Sequence, residues 1–297
     1  MSKRSATPSM IPAIDARRVE FTGQAGPQSY YVAGEGKPML LLHSINASGS
    51  AYEMRPVFEY YRQTRQVFAP DLPGFGYSDR ADRDYSARMY TNAVHDLLDQ
   101  MPADTPVDAM ALSLSSEFLA RAATERPQRF RSVSLITPTG FNKGGEQLRA
   151  PEGATREVKW LYGLVSVPLW RRKLYELLVK PSVIRYFLKR TSGSDYFDEG
   201  LAAYDDITAN QPGAEFAPLA FLSARLFSKD IRDVYERLEM PVWLPHATQG
   251  DFKDFSRADW ARARSNWTVQ ALEGGALPHF ETPDAFFAAA DRFLASL

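Results

Sequence analysis

A regular alternation of short apolar runs with stretches of helical spacing limits the folds open to this chain. Runs of strand length begin at Pro38, Gln66, Val107 and Ser132, and helical patterns lie between them. Short connections between alternating strands and helices require right-handed crossovers, which give a parallel sheet covered by helices on both faces. The sequence therefore predicts an α/β fold with a mostly parallel sheet.

The alternation stops near residue 141 and resumes near residue 239. From Gly153 to about Leu238 the periodicity is helical throughout, with no strand pattern. Strands and helices are then predicted in turn at Pro241–Pro245, Ser256–Asn266, Thr268–Leu272 and Thr282–Leu297. We therefore predict an α/β core at 1–140 and 239–297, and an all-helical cap, or lid, inserted at 141–238.

Composition excludes several classes of function. The formal net charge of −1 creates no overall field that would favour nucleic acid, so we expect a hydrophobic small molecule as partner. The absence of cysteine excludes disulfides and a thiol nucleophile, and the four histidines lack the spacing of metal ligands, so we expect neither metal nor cofactor. No apolar run of signal-peptide length precedes Asp15, and no run anywhere reaches membrane-spanning length, which predicts a cytoplasmic protein.

Ser113 is the candidate nucleophile. It lies between the strand at 107–111 and the helix at 115–125, where the nucleophile-elbow motif G-x-S-x-G belongs. Small residues, Ala111 and Ser115, stand in place of the two glycines, which fits a site where strand and helix approach closely. The alternative is a helix cap, in which Ser113 or Ser115 bonds to the amides of the first turn.

Three further segments resemble the α/β-hydrolase family, and with Ser113 the resemblance covers nearly the whole chain. Leu41-Leu-His-Ser44 resembles the His-Gly loop of that family, Asp71-Leu-Pro-Gly-Phe-Gly-Tyr-Ser78 its D-x-P-G-x-G-x-S signature, and Leu277-Pro-His-Phe-Glu-Thr-Pro283 its closing segment. The resemblance implies a sheet of about eight strands, a lid after the sixth, and catalysis by a serine, an acid and a histidine in that chain order.

The resemblance also places the donors of an oxyanion hole. They would be the backbone N–H of Leu114, directly after the nucleophile, and that of Ile45 or Ser44 in the loop after His43. We interpret His43 itself as the residue that holds this loop by hydrogen bonds. For the acid, the loop after the strand at 241–245 offers Asp251, with Asp254 as second choice. Either could instead be an ordinary turn aspartate that bonds its own backbone.

The general base is where the chain departs from the family pattern. Ala276 occupies the position of the usual histidine, and His279 matches a second histidine that is mostly a packing residue in the family. His279 could move into the vacated place. Glu117 could serve as base, although a carboxylate in a first helical turn is also simply a favourable charge there. The pocket could also bind its ligand without the triad reaction, as a pseudo-enzyme or a lyase-type or cofactor-independent catalyst.

The predicted cap carries a basic amphipathic segment. Between Arg156 and Arg190 the sequence has nine basic and two acidic residues, interleaved with aromatic and aliphatic side chains. Such a surface could contact an anionic membrane, and it could equally cover the pocket mouth with its cations in solvent.

Together these residues predict a hydrolase of a hydrophobic ester, thioester or related acyl compound. In this hypothesis Ser113 attacks, the amides of Leu114 and Ile45 hold the oxyanion, His279 relays the proton and Asp251 orients the imidazole. The competing hypothesis is a binding protein on the same scaffold, because a serine without a base is a poor nucleophile.

Overall fold

One eight-stranded sheet forms the centre of the molecule. The computed structural model describes residues 8–143 and 150–297. The strands are β1 (Arg17–Gly23), β2 (Gly26–Ala33), β3 (Pro38–Leu42), β4 (Gln66–Asp71), β5 (Val107–Leu112), β6 (Phe130–Ile136), β7 (Val242–Ala247) and β8 (Trp267–Leu272). Their order in the sheet is β1-β2-β4-β3-β5-β6-β7-β8. The pairs β1–β2 and β2–β4 are antiparallel and the others are parallel, which confirms the predicted α/β fold.

Helices cover both faces of this sheet. The helices of the first half are α1 (Arg55–Tyr61), α2 (Ala87–Leu98) and α3 (Ser115–Glu125). Between β6 and β7 lie α4 (Lys159–Val165), α5 (Arg171–Leu178), α6 (Pro181–Ser192), α7 (Glu199–Ala209), α8 (Phe216–Leu222) and α9 (Ile231–Glu236). The chain closes with α10 (Asp259–Arg262), α11 (Pro278–Glu281) and α12 (Pro283–Ala295). The six helices that the structure describes between β6 and β7, with their connections, are called the cap below.

The core is divided by the sheet into two apolar layers. Along β3, Leu40 and Leu42 belong to one buried cluster and Met39 and Leu41 to the other, because successive side chains of a strand point to opposite faces. All four side chains are inaccessible to solvent, as expected of a parallel strand covered on both faces. The sheet is thus a rigid support for the loops at the carboxyl ends of its strands, where ligands of such folds bind.

The signature loop after β4 is built around one buried carboxylate. Asp71 accepts hydrogen bonds from the backbone N–H groups of Ala51 and Tyr77, both at 2.9 Å. Gly76 adopts a φ of +49°, and a Cβ atom on it would lie 1.9 Å from the Asp71 carboxyl carbon, so only glycine fits. The loop that most closely resembles the family signature therefore has a structural role, holding the segment after β3 in place.

The helix predicted at 256–266 is largely absent, since α10 covers only Asp259–Arg262. The reason lies at Asn266, whose side-chain amide donates to the carbonyls of Leu238 and Met240, at 2.9 and 3.0 Å. These bonds tie the chain to the segment before β7 and turn it into β8, which ends the helix early. A pattern of local periodicity does not contain this long-range contact.

Candidate active site

Ser113 occupies a strained turn between β5 and α3. Its φ is +53°, in the left-handed region that non-glycine residues seldom adopt. Its N–H donates to the carbonyl of Ile136 at the end of β6, 2.9 Å away, which fixes the turn on the neighbouring strand. Ser115 does not act as a helix cap, because its hydroxyl donates to the carbonyl of His43 at 2.5 Å. Strain of this kind is concentrated at functional sites.

Of the two candidate oxyanion-hole donors in the loop after β3, Ser44 and Ile45, only one is free. The N–H of Ser44 donates to the carboxylate of Glu53 at 2.6 Å, and the Ser44 hydroxyl does so at 3.0 Å. The N–H groups of Ile45 and Leu114 donate to no acceptor within residues 8–143 and 150–297. Ser44 is therefore unsuited to an oxyanion hole, while Ile45 and Leu114 keep the free donors that one requires.

His43 holds this loop. The N–H of Leu72 donates to its Nε2 at 2.9 Å, so the proton of the neutral ring is on Nδ1, which donates to the Ser44 carbonyl at 2.7 Å. Burial lowers the pKa of His43 to about 4, partly offset by that bond to the carbonyl. Both ring nitrogens are engaged, which leaves His43 no part in proton transfer.

Two buried carboxylates lie beside this loop that the sequence did not indicate as site residues. Glu53 also accepts from the Asn46 amide at 2.6 Å, and burial raises its pKa to about 7 despite these bonds. Asp205, on α7, is buried close enough to Glu53 that burial and the charge of Glu53 both raise its pKa. Neither residue belongs to a motif, and Glu53 reads in the sequence as an ordinary polar residue of an amphipathic segment.

His279 is not placed as a relay. It is buried, and its Nε2 donates to the backbone carbonyl of Glu53 at 2.6 Å. Its Nδ1 has no partner among the residues that the structure describes, and its ring packs on Phe280 and Phe286. Burial lowers its pKa to about 4. The sequence assigned His279 the role of base, but neither ring nitrogen bonds Ser113, and the contacts are those of a packing residue.

Asp251 is likewise engaged elsewhere. Its carboxylate pairs with the guanidinium of Arg190 on α6, with Nε and Oδ2 2.6 Å apart, so it orients no imidazole. Asp254 accepts hydrogen bonds from the backbone N–H groups of Lys143 and Ser256, at 3.2 and 3.1 Å. Hydrogen bonding by the Ser256 side chain, and then by these two amides, lowers the pKa of Asp254. Asp254 therefore behaves as the turn aspartate that was the alternative interpretation of this loop.

Hydrogen bonds fix the loop around Ala276, the position at which the family pattern has its base. The N–H of Ala276 donates to the carbonyl of Thr191 at the end of α6, 3.1 Å away. The carboxylate of Glu281 accepts from the N–H groups of Gly275 and Leu277, at 2.6 and 3.1 Å, and clamps the loop from the other side. The carbonyl of Gly274 accepts from two amides of the loop that carries Asp251, so the acid and base loops are adjacent. The sheet thus brings the two loops together without an imidazole between them.

Glu117 is buried at the start of α3. One carboxylate oxygen accepts from the Thr139 hydroxyl at 2.5 Å and the other from the N–H of Ser228 at 2.8 Å. Burial raises its pKa, and these two bonds oppose the rise. Both oxygens are occupied by structural partners and neither bonds Ser113, which favours a structural role over that of a base.

A cavity of about 380 Å³ opens beside Ser113. Aromatic side chains line part of it and polar side chains line the rest; among them are Phe227, Phe252, Phe255, Thr137, Arg156 and Asp251. Within the described part of the chain, no group of three or more His, Asp or Glu side chains could hold a metal ion. The arrangement thus offers a serine, two free backbone donors and an apolar wall, which suits attack on a carbonyl compound.

The basic segment of the cap exposes apolar side chains. Trp160 and Leu169 are 72% and 81% exposed, and Lys159 and Lys173 beside them form no ion pair within the described residues. None of the helices described is both long and apolar enough to span a bilayer. Contact of this surface with an anionic membrane stays a prediction.

The position of His279 leads to a prediction about stability. The folded pKa of about 4 lies below the ordinary value of about 6.5, so the stability that neutral His279 contributes is complete above pH 6.5 and is lost as the pH falls towards 4. His279→Gln keeps a donor for the Glu53 carbonyl but cannot titrate. The unfolding free energy of the parent minus that of the variant should therefore fall by about 3 kcal/mol between pH 7 and pH 4.

Chemical denaturation of both proteins across this pH range measures that difference, and the titration of Glu53 is common to both. Turnover of the variant at pH 7 should stay within about threefold of the parent, since an imidazole relay is worth 10²- to 10⁴-fold. A hundredfold loss of turnover with no change in the pH dependence of stability would instead assign His279 to proton transfer.

An eight-stranded, mostly parallel sheet with a serine in a left-handed turn after its fifth strand defines the class of α/β-hydrolase folds. The model of the alpha/beta hydrolase family matches residues 39–290. The chain therefore belongs to the alpha/beta hydrolase family.

Individual relatives are distant. An uncharacterized protein of Mycobacterium tuberculosis is 28% identical over 159 residues, which cover 52% of this chain and 42% of that protein. The matched region thus spans less than half the length of that relative. A 2-hydroxymuconate semialdehyde hydrolase of Pseudomonas putida is 27% identical over 235 residues, covering 72% of this chain and 78% of that protein. A serine hydrolase involved in carbazole degradation shares the fold, with a TM-score of 0.74 at 15% identity and coverage of 95% and 100%.

Proposed function

We propose that this protein is a serine-dependent hydrolase of hydrophobic esters, thioesters or related acyl compounds. The observation that carries the proposal is the left-handed backbone of Ser113, which is held at the end of β5 beside a cavity with an aromatic wall. A strained serine with no structural hydrogen bond of its hydroxyl, within the residues that the structure describes, is what a nucleophile requires. The likeness to a 2-hydroxymuconate semialdehyde hydrolase supports hydrolytic chemistry on a small molecule.

The reaction follows from the free groups at the turn. The Ser113 Oγ attacks the acyl carbon, and the N–H groups of Leu114 and Ile45 stabilise the oxyanion that forms. Collapse of this intermediate breaks the bond to the leaving group and leaves an acyl-serine, which water then hydrolyses. With no imidazole bonded to Ser113, the serine proton passes to water in the pocket, and the leaving group departs without a general acid.

The absence of a general acid limits which leaving groups the reaction can expel. An alkoxide leaving group needs a proton as it departs, whereas a thiolate or a phenolate leaves as the anion. General acid–base catalysis is worth about 10²- to 10⁴-fold, so compounds with poor leaving groups lose that factor and those with good leaving groups lose less. The protein should therefore act on thioesters, aryl esters and enol esters in preference to alkyl esters.

This preference is the test of the proposal. Turnover of a series of octanoate esters should fall steeply as the pKa of the leaving alcohol rises, and the rate should increase with pH above 7 without the bend near pH 6.5 that an imidazole base produces. The measurement is steady-state hydrolysis of phenyl, trifluoroethyl and ethyl octanoates, with a triad esterase as control. Equal turnover of all three, with a bend near neutral pH, would reveal a working imidazole and contradict the mechanism.

Two observations favour a second candidate function, a ligand-binding protein without turnover. Ala276 is buried at the base position and bonded to the cap, and His279 is committed to the Glu53 carbonyl. Under this alternative an acyl compound raises the melting temperature of the protein equally in the parent and in Ser113→Ala, and no ester of the series is hydrolysed above the uncatalysed rate.

A further inference from the structure

One charged group at the Ser113 cavity has no hydrogen-bond or ion-pair partner among the residues that the structure describes. Arg156 lines the cavity, and none of the N–H groups of its guanidinium forms a hydrogen bond or ion pair within residues 8–143 and 150–297. Its Nη2 is enclosed by protein. An arginine in a partly buried site normally has a carboxylate or phosphate partner, because desolvating its charge without one is costly.

The carboxylates at this cavity and the one that Arg156 influences do not fill this role. The charge of Arg156 acts on Glu117 and opposes the rise in its pKa that burial causes. Both carboxylate oxygens of Glu117, however, accept hydrogen bonds from Thr139 and Ser228. Asp251, at the same cavity, is paired with Arg190. Asp254 accepts from two backbone amides. Every carboxylate that faces the cavity or lies against Arg156 within the described chain is therefore already partnered.

Thr137 gives an independent sign that this part of the cavity is built for binding. It follows β6 directly and has a φ of +45°, which is exceptional for a β-branched residue. Thr137 is only 3% exposed, and its hydroxyl has no partner among the described residues. Such strain persists only where the surrounding structure enforces it, and it is concentrated at ligand sites.

We propose that Arg156, together with Thr137 at the same cavity, forms a subsite for a carboxylate carried by the acyl substrate. The ligand would be an apolar acyl chain or aryl group that bears a carboxylate at one end and the reacting carbonyl at the other. The aromatic side chains of Phe227, Phe252 and Phe255 cover its apolar part, and Ser113 faces the carbonyl. The inference rests on the proposed function for the identity of the reacting group, but the subsite itself can be tested by binding alone.

The test compares two ligands that differ only in charge, 4-phenylbutyrate and its neutral amide 4-phenylbutanamide. Binding is measured by calorimetry on Ser113→Ala, so that no chemistry intervenes. Charge-assisted hydrogen bonds to one guanidinium predict that the carboxylate binds about 10- to 100-fold more tightly than the amide. Arg156→Gln should remove this preference, Arg156→Lys should keep part of it, and Lys159→Gln, an exposed cation outside the cavity, should leave it unchanged.

Equal binding of the two ligands, absence of binding by both, or a preference that survives in Arg156→Gln would overturn the subsite. Thermal unfolding of each variant establishes that it is folded. The two proposals can fail separately. A carboxylate preference without ester turnover would contradict the hydrolase proposal and support the subsite. Turnover of neutral and anionic esters at equal rates would support the hydrolase proposal and contradict the subsite.

Discussion

Replacing Ser113 with alanine should lower the turnover of a phenyl ester or thioester by about 10²- to 10⁴-fold. Removing the serine of a complete triad costs about 10⁶-fold, and a share of about 10²- to 10⁴-fold belongs to acid–base catalysis, which this site lacks. The remainder is what the nucleophile itself supplies through the acyl-serine. The measurement is kcat/KM for phenyl octanoate with the parent and with the variant. The rate of each is compared with that of uncatalysed hydrolysis.

Ser182→Ala is the matched control, because Ser182 is exposed on α6 and its hydroxyl makes no hydrogen bond among the described residues. It should match the parent. If Ser113→Ala and Ser182→Ala both retained the turnover of the parent, hydrolysis would not pass through Ser113. The strain at that turn would then need another explanation.

Supplying the missing imidazole should have an effect of similar size in the opposite direction. Ala276→His places a histidine in a loop that Glu281 and Thr191 already fix, next to the loop of Asp251. Arg190→Gln removes the cation that now pairs with Asp251, so its carboxylate becomes free to orient the new ring. The double variant should gain about 10²- to 10⁴-fold in kcat/KM for ethyl octanoate, the substrate most in need of a general acid.

The single variants separate the two contributions. Ala276→His alone should gain less, because an unoriented imidazole is a poorer base, and Arg190→Gln alone should gain nothing. Ala276→Asn is the control for side-chain size in the loop and should not gain. A double variant that folds with the melting temperature of the parent, yet hydrolyses ethyl octanoate no faster, would show that the base position does not face Ser113.

The sheet and the Ser113 turn could be predicted because both depend on local patterns. Buried parallel strands appear as continuous apolar runs, and a serine among small residues between strand and helix is visible in the sequence alone. The hydrogen-bond and ion-pair partners of the site residues could not be predicted from the sequence. His279 bonds a carbonyl 226 positions away, and which of many cap cations pairs with Asp251 depends on how α6 docks on the core.

The same distinction explains the residues that were missed. Glu53 and Arg156 lie in segments where a charged residue would ordinarily face solvent, and only the packing of distant elements encloses them. The missing base at Ala276, in contrast, was evident from the spacing of the closing segment. Sequence thus located the departure from the family pattern, and the structure identified what surrounds it.

The most direct test of the central claim, that Ser113 is the nucleophile, is covalent labelling with a fluorophosphonate followed by peptide mass spectrometry. Phosphonylation of a serine releases fluoride, a good leaving group, so the reaction does not depend on an imidazole acid. The predicted result is a single adduct on Ser113, formed slowly and faster at higher pH, and absent from Ser113→Ala. A folded protein that stays unlabelled after prolonged incubation at raised pH, or an adduct on another residue, would contradict the claim.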